Sequence, residues 1–118
     1  MPYLLLIHEP HGQRLARTEA EGKAVYERMV RFAEDLKKQG KLLAVESLTA
    51  PSEGVSVQVR GGGKPAVLDG PFAEAKEFVG GFFLLDCQTR EEAVAIAGKC
   101  PAAEWATVEV RATGPCFE

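Results

Sequence analysis

Three side chains in the sequence are of types that transfer protons, and each stands in an apolar or constrained setting. His8 ends an apolar segment, where an imidazole near its free pKa can take up or release a proton at neutral pH. Glu46 alternates with apolar residues, and an unpaired carboxylate in such a setting has a raised pKa. Asp69 begins a turn with Gly70 and Pro71 that would fix the direction of its side chain. We predict these three residues as a catalytic set for general acid–base chemistry.

Aromatic and charged residues elsewhere in the chain are candidates for contacting a ligand. In an extended segment Glu74 and Lys76 share a face, where they would form an ion pair at the mouth of a pocket. Three aromatic side chains would line the same cavity. The predicted ligand-binding residues are Phe72, Glu74, Lys76, Phe82 and Trp105. A structural role is the alternative for each: a solvated charge, a salt bridge, a turn or a core anchor.

The cysteines do not form a recognisable metal or disulfide pattern. Cys87, Cys100 and Cys116 are odd in number and widely spaced, and none belongs to a C-x-x-C motif. We expect reduced thiols that pack in the fold, with no metal and no cofactor. The three glycines at 61–63 lack the spacing of a phosphate-binding loop, so they are interpreted as a plain turn.

Length and charge restrict the function classes. The chain has 118 residues, which suits a single domain spanning residues 1–118. Its net charge of −3 gives no general attraction to nucleic acid or to anionic lipid, so we expect neither partner. The apolar run at 3–7 is far shorter than a membrane span, and no basic segment precedes it. These features favour a cytoplasmic protein.

Local signals divide the chain into strands and helices. Capping boxes at Thr18 and Thr89 predict two helices, which end near Gly40 and Pro101. Alternating or continuous apolar runs predict strands, and a glycine turn joins two of them as a hairpin. The predicted strands cover residues 3–8, 42–49, 55–59, 65–68, 82–87 and 105–112.

This order of elements predicts an α+β, ferredoxin-like fold with an inserted β-hairpin. Two helices cover one face of such a sheet, yet residues 3–7 and 82–85 are apolar on both faces. We therefore expect a homodimer in which a second subunit covers the other face. The strands that carry His8 and Glu46 are expected to be neighbours.

The segment from Leu68 to Glu77, which reads LDGPFAEAKE, resembles the signature of the YCII-related, or DGPF-domain, family. The similarity continues through Gly80-Gly81-Phe82, the exit from the second helix at 100–103 and the terminal strand at 108–111. The resemblance implies a ferredoxin-like subunit in a dimeric α+β barrel. Related members have been proposed to use a His-Asp pair for elimination or isomerisation on ring substrates, and His8 would supply the histidine.

Several functions remain open at this point. The first is a proton-transferring lyase or isomerase, without a cofactor, that acts on a small cyclic or conjugated metabolite. The second is a non-catalytic dimer that binds a small molecule or has a regulatory role. A third is a fold kept for dimeric interaction alone. A fourth is a tautomerase-like use of Pro2, whose amine would act as a base after removal of Met1.

Overall fold

The computed structural model describes residues 2–70 and 75–117. Six strands and three α-helices follow one another in the order β1, α1, α2, β2, β3, β4, β5, α3, β6. The strands are β1 Tyr3–Pro10, β2 Leu42–Ser47, β3 Val55–Arg60, β4 Lys64–Asp69, β5 Glu77–Leu85 and β6 Thr107–Ala112. The helices are α1 Gln13–Ala16, α2 Glu19–Lys38 and α3 Arg90–Lys99, with 3-10 turns at Pro51–Glu53 and Pro101–Glu104.

Four strands form an antiparallel sheet in the order β2-β5-β1-β6. This is the ferredoxin-like arrangement, and it confirms the predicted fold class. The expectation that the strands of His8 and Glu46 are neighbours is wrong, because β5 lies between β1 and β2. The helix α2 crosses over the sheet, so β1 and β2 run in the same direction with room for one antiparallel strand.

The predicted capping box begins the long helix α2. Thr18 Oγ1 accepts a hydrogen bond from the backbone N–H of Glu21 at 3.1 Å, and the Glu21 carboxylate accepts one from the Thr18 N–H at 2.8 Å. Lys37 and Lys38 lie in the last turn, where they face the negative end of the helix dipole. Thr89 caps α3 through one such bond, in which its Oγ1 accepts the N–H of Glu92 at 3.2 Å.

The core lies between the two long helices and the inner face of the sheet. Its most buried large side chains are Leu5 and Leu85, from the central strands, and Leu36 of α2 packs against them. Residues Tyr3, Leu5 and Ile7 of β1 point to this side, so Leu4, Leu6 and His8 point to the outer face, which none of the helices in the described residues covers.

The hairpin of β3 and β4 forms a separate two-stranded sheet. Its tip is the glycine turn at 61–63, in which Gly62 and Gly63 have positive φ angles, as only glycine adopts readily. At its base the Gly70 N–H donates to the Gly54 carbonyl at 2.8 Å. Both strands are solvent-exposed along most of their length, so the hairpin is an arm that the rest of the described chain does not cover.

Candidate functional site

The outer face of the sheet carries a histidine–carboxylate pair. His8 lies near the end of β1, and Glu109 lies on the neighbouring strand β6, where it is in register with Leu6. His8 Nε2 is 2.7 Å from Glu109 Oε1, and both side chains are about one third exposed (27% and 35%). The pair is therefore accessible from the outer face while its hydrogen bond is partly shielded from water.

Arg111 completes a chain of three residues. It follows Glu109 by two positions on the same face of β6, and its Nε and Nη2 atoms each lie 2.9 Å from Glu109 Oε2. The hydrogen bond from Arg111, followed by that from His8, lowers the pKa of Glu109. Since the carboxylate is ionised at neutral pH, it accepts the Nε2–H of His8.

This hydrogen bond determines what the other ring nitrogen of His8 can do. With the proton of the neutral imidazole at Nε2, the Nδ1 atom carries a lone pair. No described residue forms a hydrogen bond with Nδ1. An imidazole oriented by an ionised carboxylate and free at its second nitrogen is able to act as a general base, because the carboxylate stabilises the imidazolium that forms.

An apolar row separates this pair from Glu46. Glu46 is in register with Phe82 of β5, Phe82 with Leu6 of β1, and Leu6 with Glu109 of β6. Phe82 and Leu6 are half-buried and form an apolar floor beside the imidazole. Glu46 and Glu109 therefore stand at opposite edges of one row, three strand spacings or about 14 Å apart.

The position of Glu46 differs in one respect from the sequence interpretation. Glu46 and Ala44 lie on the outer face, but Leu42 lies on the inner face, where it packs against the core. The register of β2 shifts between Leu42 and Ala44, so the alternation of faces is interrupted at Leu43. The carboxylate is exposed on an edge strand and does not meet His8 within the subunit.

The predicted residues of the hairpin and its exit lie away from the pair. Asp69 ends β4, is exposed, and makes no hydrogen bond or ion pair with His8 or Glu46 among the described residues. Lys76 is exposed, and its carbonyl accepts the N–H of His11 at 3.2 Å. Phe72 and Glu74 lie outside the described residues.

Trp105 lies on the other side of the sheet from His8, near the beginning of α2. The guanidinium carbons of Arg17 and Arg28 lie 5.6 and 5.4 Å from the centre of its ring. Its carbonyl accepts a hydrogen bond of 2.7 Å from Gln13 Nε2. Of the predicted ligand-binding residues, Phe82 therefore adjoins the His8 pair and Trp105 does not.

Pro2 lies at the opposite end of β1 from His8. Its carbonyl accepts hydrogen bonds from the N–H and the hydroxyl of Thr113, both at 3.0 Å. Six residues of strand, or about 20 Å, separate it from the imidazole. A base at Pro2 would therefore act at a site of its own.

The sequence interpretation did not identify Glu109 as the partner of His8. The two residues are 101 positions apart, so no local spacing relates them. The alternation of Val108 and Val110 with Glu109 placed the carboxylate on the outer face, but only the pairing of β1 with β6 makes it the neighbour of His8. In the described part of the chain, no group of three or more His, Cys, Asp or Glu side chains is arranged to hold a metal ion.

The sequence interpretation did not predict a second charged pair, which lies on the inner face of the sheet. Glu9 is buried, and its carboxylate oxygens accept hydrogen bonds from Arg14 Nε at 2.9 Å and Nη2 at 2.7 Å. Arg14 also donates to the carbonyls of Leu48 and Gly80. This pair joins β1, α1, β5 and the exit from β2, so it fixes the end of the sheet near His8.

Within the described residues, no helix is long and apolar enough to cross a membrane.

Comparison with known proteins identifies the family. The sequence model of the YCII-related domain family matches residues 1–115. The chain is 31% identical over 97 residues to a protein of Rhizobium meliloti (strain 1021) named "Uncharacterized protein R00369", a match that covers 82% of this chain and 77% of the relative. Together with the ferredoxin-like sheet, these findings show that the chain belongs to the YCII-related domain family.

Proposed function

We propose that this protein is a lyase or isomerase that transfers a proton on a small cyclic or conjugated metabolite, with His8 as the base. The observation that carries the proposal is the 2.7 Å hydrogen bond between His8 Nε2 and the ionised Glu109. It leaves Nδ1 available on an apolar surface, which is the arrangement that proton abstraction beside a carbonyl requires.

The proposed reaction begins when Nδ1 takes a proton from a carbon adjacent to an electron-withdrawing group. The electron pair of the broken C–H bond moves into the conjugated system, and Glu109 stabilises the imidazolium. In an isomerisation the imidazolium returns the proton to a second carbon. In an elimination the electron pair expels a leaving group, and the imidazolium gives its proton to that leaving group.

Enclosure of this site would come from a second subunit. The outer face is apolar, and no helix within residues 2–70 and 75–117 covers it; it is formed by Leu4, Leu6, Phe82 and Leu84. We propose that two sheets pack with these faces together, because apolar sheet surface is costly to leave in water. Glu46 points to the same enclosed space and is a second acid–base candidate. Asp69, Phe72, Glu74 and Lys76 precede β5 and are proposed to contact the substrate at its margin.

Deuterium exchange tests the proposal without knowledge of the net reaction. The protein would be incubated in deuterium oxide with a panel of small cyclic ketones, lactones and conjugated acids, and exchange at carbon would be followed by mass spectrometry. We expect catalysed exchange for at least one compound, with a loss of about 100-fold or more in His8→Gln. Glu109→Gln is expected to lower the rate as well, because it removes the charge that stabilises the imidazolium.

The chain offers a matched control. It has two histidines, and His11 lies in an exposed loop against the ring of Phe78, so His11→Gln should leave exchange unchanged. Equal rates in the wild-type protein and in His8→Gln would contradict the proposal. Absence of exchange for the whole panel, with thermal stabilisation by one of its members, would favour the non-catalytic binding function instead.

A further inference from the structure

A second concave surface lies on the inner side of the sheet, away from His8. The helix α2 and the strands β2 and β5 enclose a groove of about 730 Å³, within the size range of small-molecule pockets. Its lining includes Glu46 and Phe82, whose side chains the proton-transfer proposal uses on the outer face, but no step of that proposal takes place in the groove. The inference below does not depend on that proposal.

The groove is long and its walls are mainly apolar. Residues of α2 that line it recur at intervals of three and four, from Gly22 through Val25, Met29 and Ala33 to Lys37. This stretch of helix is about 22 Å long. Val45 and Phe83 form the opposite wall on the sheet. An apolar molecule of elongated shape would therefore replace water along the whole wall.

At the end near α1 the wall contains a charged pair that is already complete. Arg14 binds both carboxylate oxygens of Glu9 and also donates to two backbone carbonyls. A Cβ atom at Gly80 would overlap Glu9 Oε2 and lie 2.8 Å from Arg14 Nη2, so the pair fills the space beside this glycine. This part of the groove is polar but carries no net charge.

Arg17 adds a positive charge at the same end. It lines the groove beside Trp105, and no carboxylate lies within ion-pair distance of it among the described residues. Its neighbour across the indole ring, Arg28, is neutralised by Glu104. The carboxylate of Glu21 is held in the helix cap rather than at Arg17. Its hydrogen bond with the backbone of Thr18 is the largest cause that lowers its pKa, and the charge of Arg17 is the smallest. At the far end Glu34 and Lys37 carry opposite charges.

We propose that this groove binds a small amphipathic carboxylic acid, with its carboxylate at Arg17 and its apolar body along Val25, Met29 and Val45. The other charges of the lining are paired, opposite in sign or turned away: Glu9 binds Arg14, Glu34 and Lys37 have opposite charges, and the side chain of Glu46 lies on the outer face of the sheet. A cation without an ion-pair partner at one end of an apolar groove favours a ligand with one anionic head. The indole of Trp105 lies beside the bound carboxylate and holds the Arg17 guanidinium by a cation–π contact.

The chain contains one tryptophan, and Trp105 lines this groove, so tryptophan fluorescence reports on the end of the groove that holds Arg17. The probes are octanoate, octylammonium and octanol, which share one chain and differ in the charge of the head. We expect saturable changes in Trp105 emission with octanoate, and at least about fivefold weaker binding of octylammonium. Isothermal titration calorimetry would give the same order without relying on the indole.

Variants separate the charge from the rest of the groove. Arg17→Gln should weaken octanoate binding about fivefold and leave octanol binding unchanged. Arg31→Gln, an exposed arginine on α2 that does not line the groove, is the matched control and should bind octanoate as the wild type does. His8→Gln should also bind normally, which separates this site from the outer face.

Three results would overturn the proposal. The first is no saturable binding of octanoate, and the second is equal affinity for octanoate and octylammonium. The third is a change of Trp105 emission with protein concentration alone that octanoate does not reverse, because a second copy of the chain would then occupy the groove.

Discussion

Gly80 shows how one residue without a side chain preserves a charged pair. It lies in β5 at the point where the register with β1 shifts, between Ile7 and His8. The space that a Cβ atom would take is filled by the carboxylate of Glu9. The position therefore requires glycine because of a side chain on the neighbouring strand, and not because of a turn.

We expect Gly80→Ala to destabilise the protein by about 3 kcal/mol, because the added methyl group displaces Glu9 from Arg14 and leaves a buried carboxylate without its partner. Denaturant unfolding monitored by circular dichroism would measure the change. Gly98→Ala is the matched control: nothing lies within 4 Å of its Cβ position in α3, so it should keep or raise stability, by up to about 1 kcal/mol. Equal effects of the two substitutions would contradict this account.

The three cysteines are expected to differ in reactivity. Cys87 and Cys100 are buried, and Cys116 is exposed. Burial, followed by a hydrogen bond with Glu92, raises the pKa of the Cys87 thiol to about 11. At pH 8 a disulfide reagent should therefore modify one thiol in the folded protein and three after unfolding. Rapid modification of more than one thiol under native conditions would show that this prediction is wrong.

The raised pKa of Cys87 also determines the direction in which the stability of the protein changes with pH. The folded protein keeps Cys87 protonated at pH values where the unfolded chain, with an ordinary value of 9.0, loses the proton. Its contribution to stability is therefore complete below about pH 9 and is lost as the pH rises through about 11. The loss of stability over this interval should be smaller in Cys87→Ala than in the wild type, as measured by unfolding at each pH.

At the scale of elements, local signals predicted most of the fold. The capping residues Thr18 and Thr89 begin their helices as expected, and the glycine turn joins β3 to β4. The predicted and observed elements differ where backbone geometry, and not residue composition, determines the secondary structure. The chain forms an unpredicted turn of helix at Gln13–Ala16, and β6 begins at Thr107 because Pro101–Glu104 forms a 3-10 turn.

The candidate site could be predicted only in part, for a similar reason. The face of His8 followed from alternation along β1, which is regular up to that residue. The sequence pattern did not predict that Leu42 and Glu46 lie on opposite faces of the sheet. The register shift in β2 that separates them has no clear signal in the sequence. The partners of His8 and Glu9 depend on which elements become neighbours in space, which periodicity does not report.

The arm of β3 and β4 exposes more apolar surface than its own strands can cover. Val55, Val57 and Val59 share one face with Val67, and each is between 57% and 64% exposed. An isolated two-stranded hairpin is marginally stable in water. Contact of this valine face with a partner subunit would explain why the arm keeps alternating valines.

At the scale of the whole molecule, the uncovered outer face leads to a prediction about assembly. We expect a homodimer in which Leu6 lies at the interface, so Leu6→Lys should convert the dimer to a monomer because it buries an unpaired charge. Sedimentation velocity at micromolar concentration would measure the change. Val94→Lys, on the exposed side of α3, is the matched control and should remain dimeric. A wild-type protein that sediments as a folded monomer of 12.7 kDa would contradict the prediction.

The strand order β2-β5-β1-β6 has a consequence for synthesis on the ribosome. Counted from the glycine turn, β1 and β2 belong to the first half of the chain and β5 and β6 to the second, so the halves alternate across the sheet. Every ladder of this sheet therefore joins the first half to the second. When only the first half has left the exit tunnel, β1 and β2 have no partner strand and their apolar faces are available to chaperones. The sheet forms only when β5 emerges, and its last edge forms only after β6 has followed.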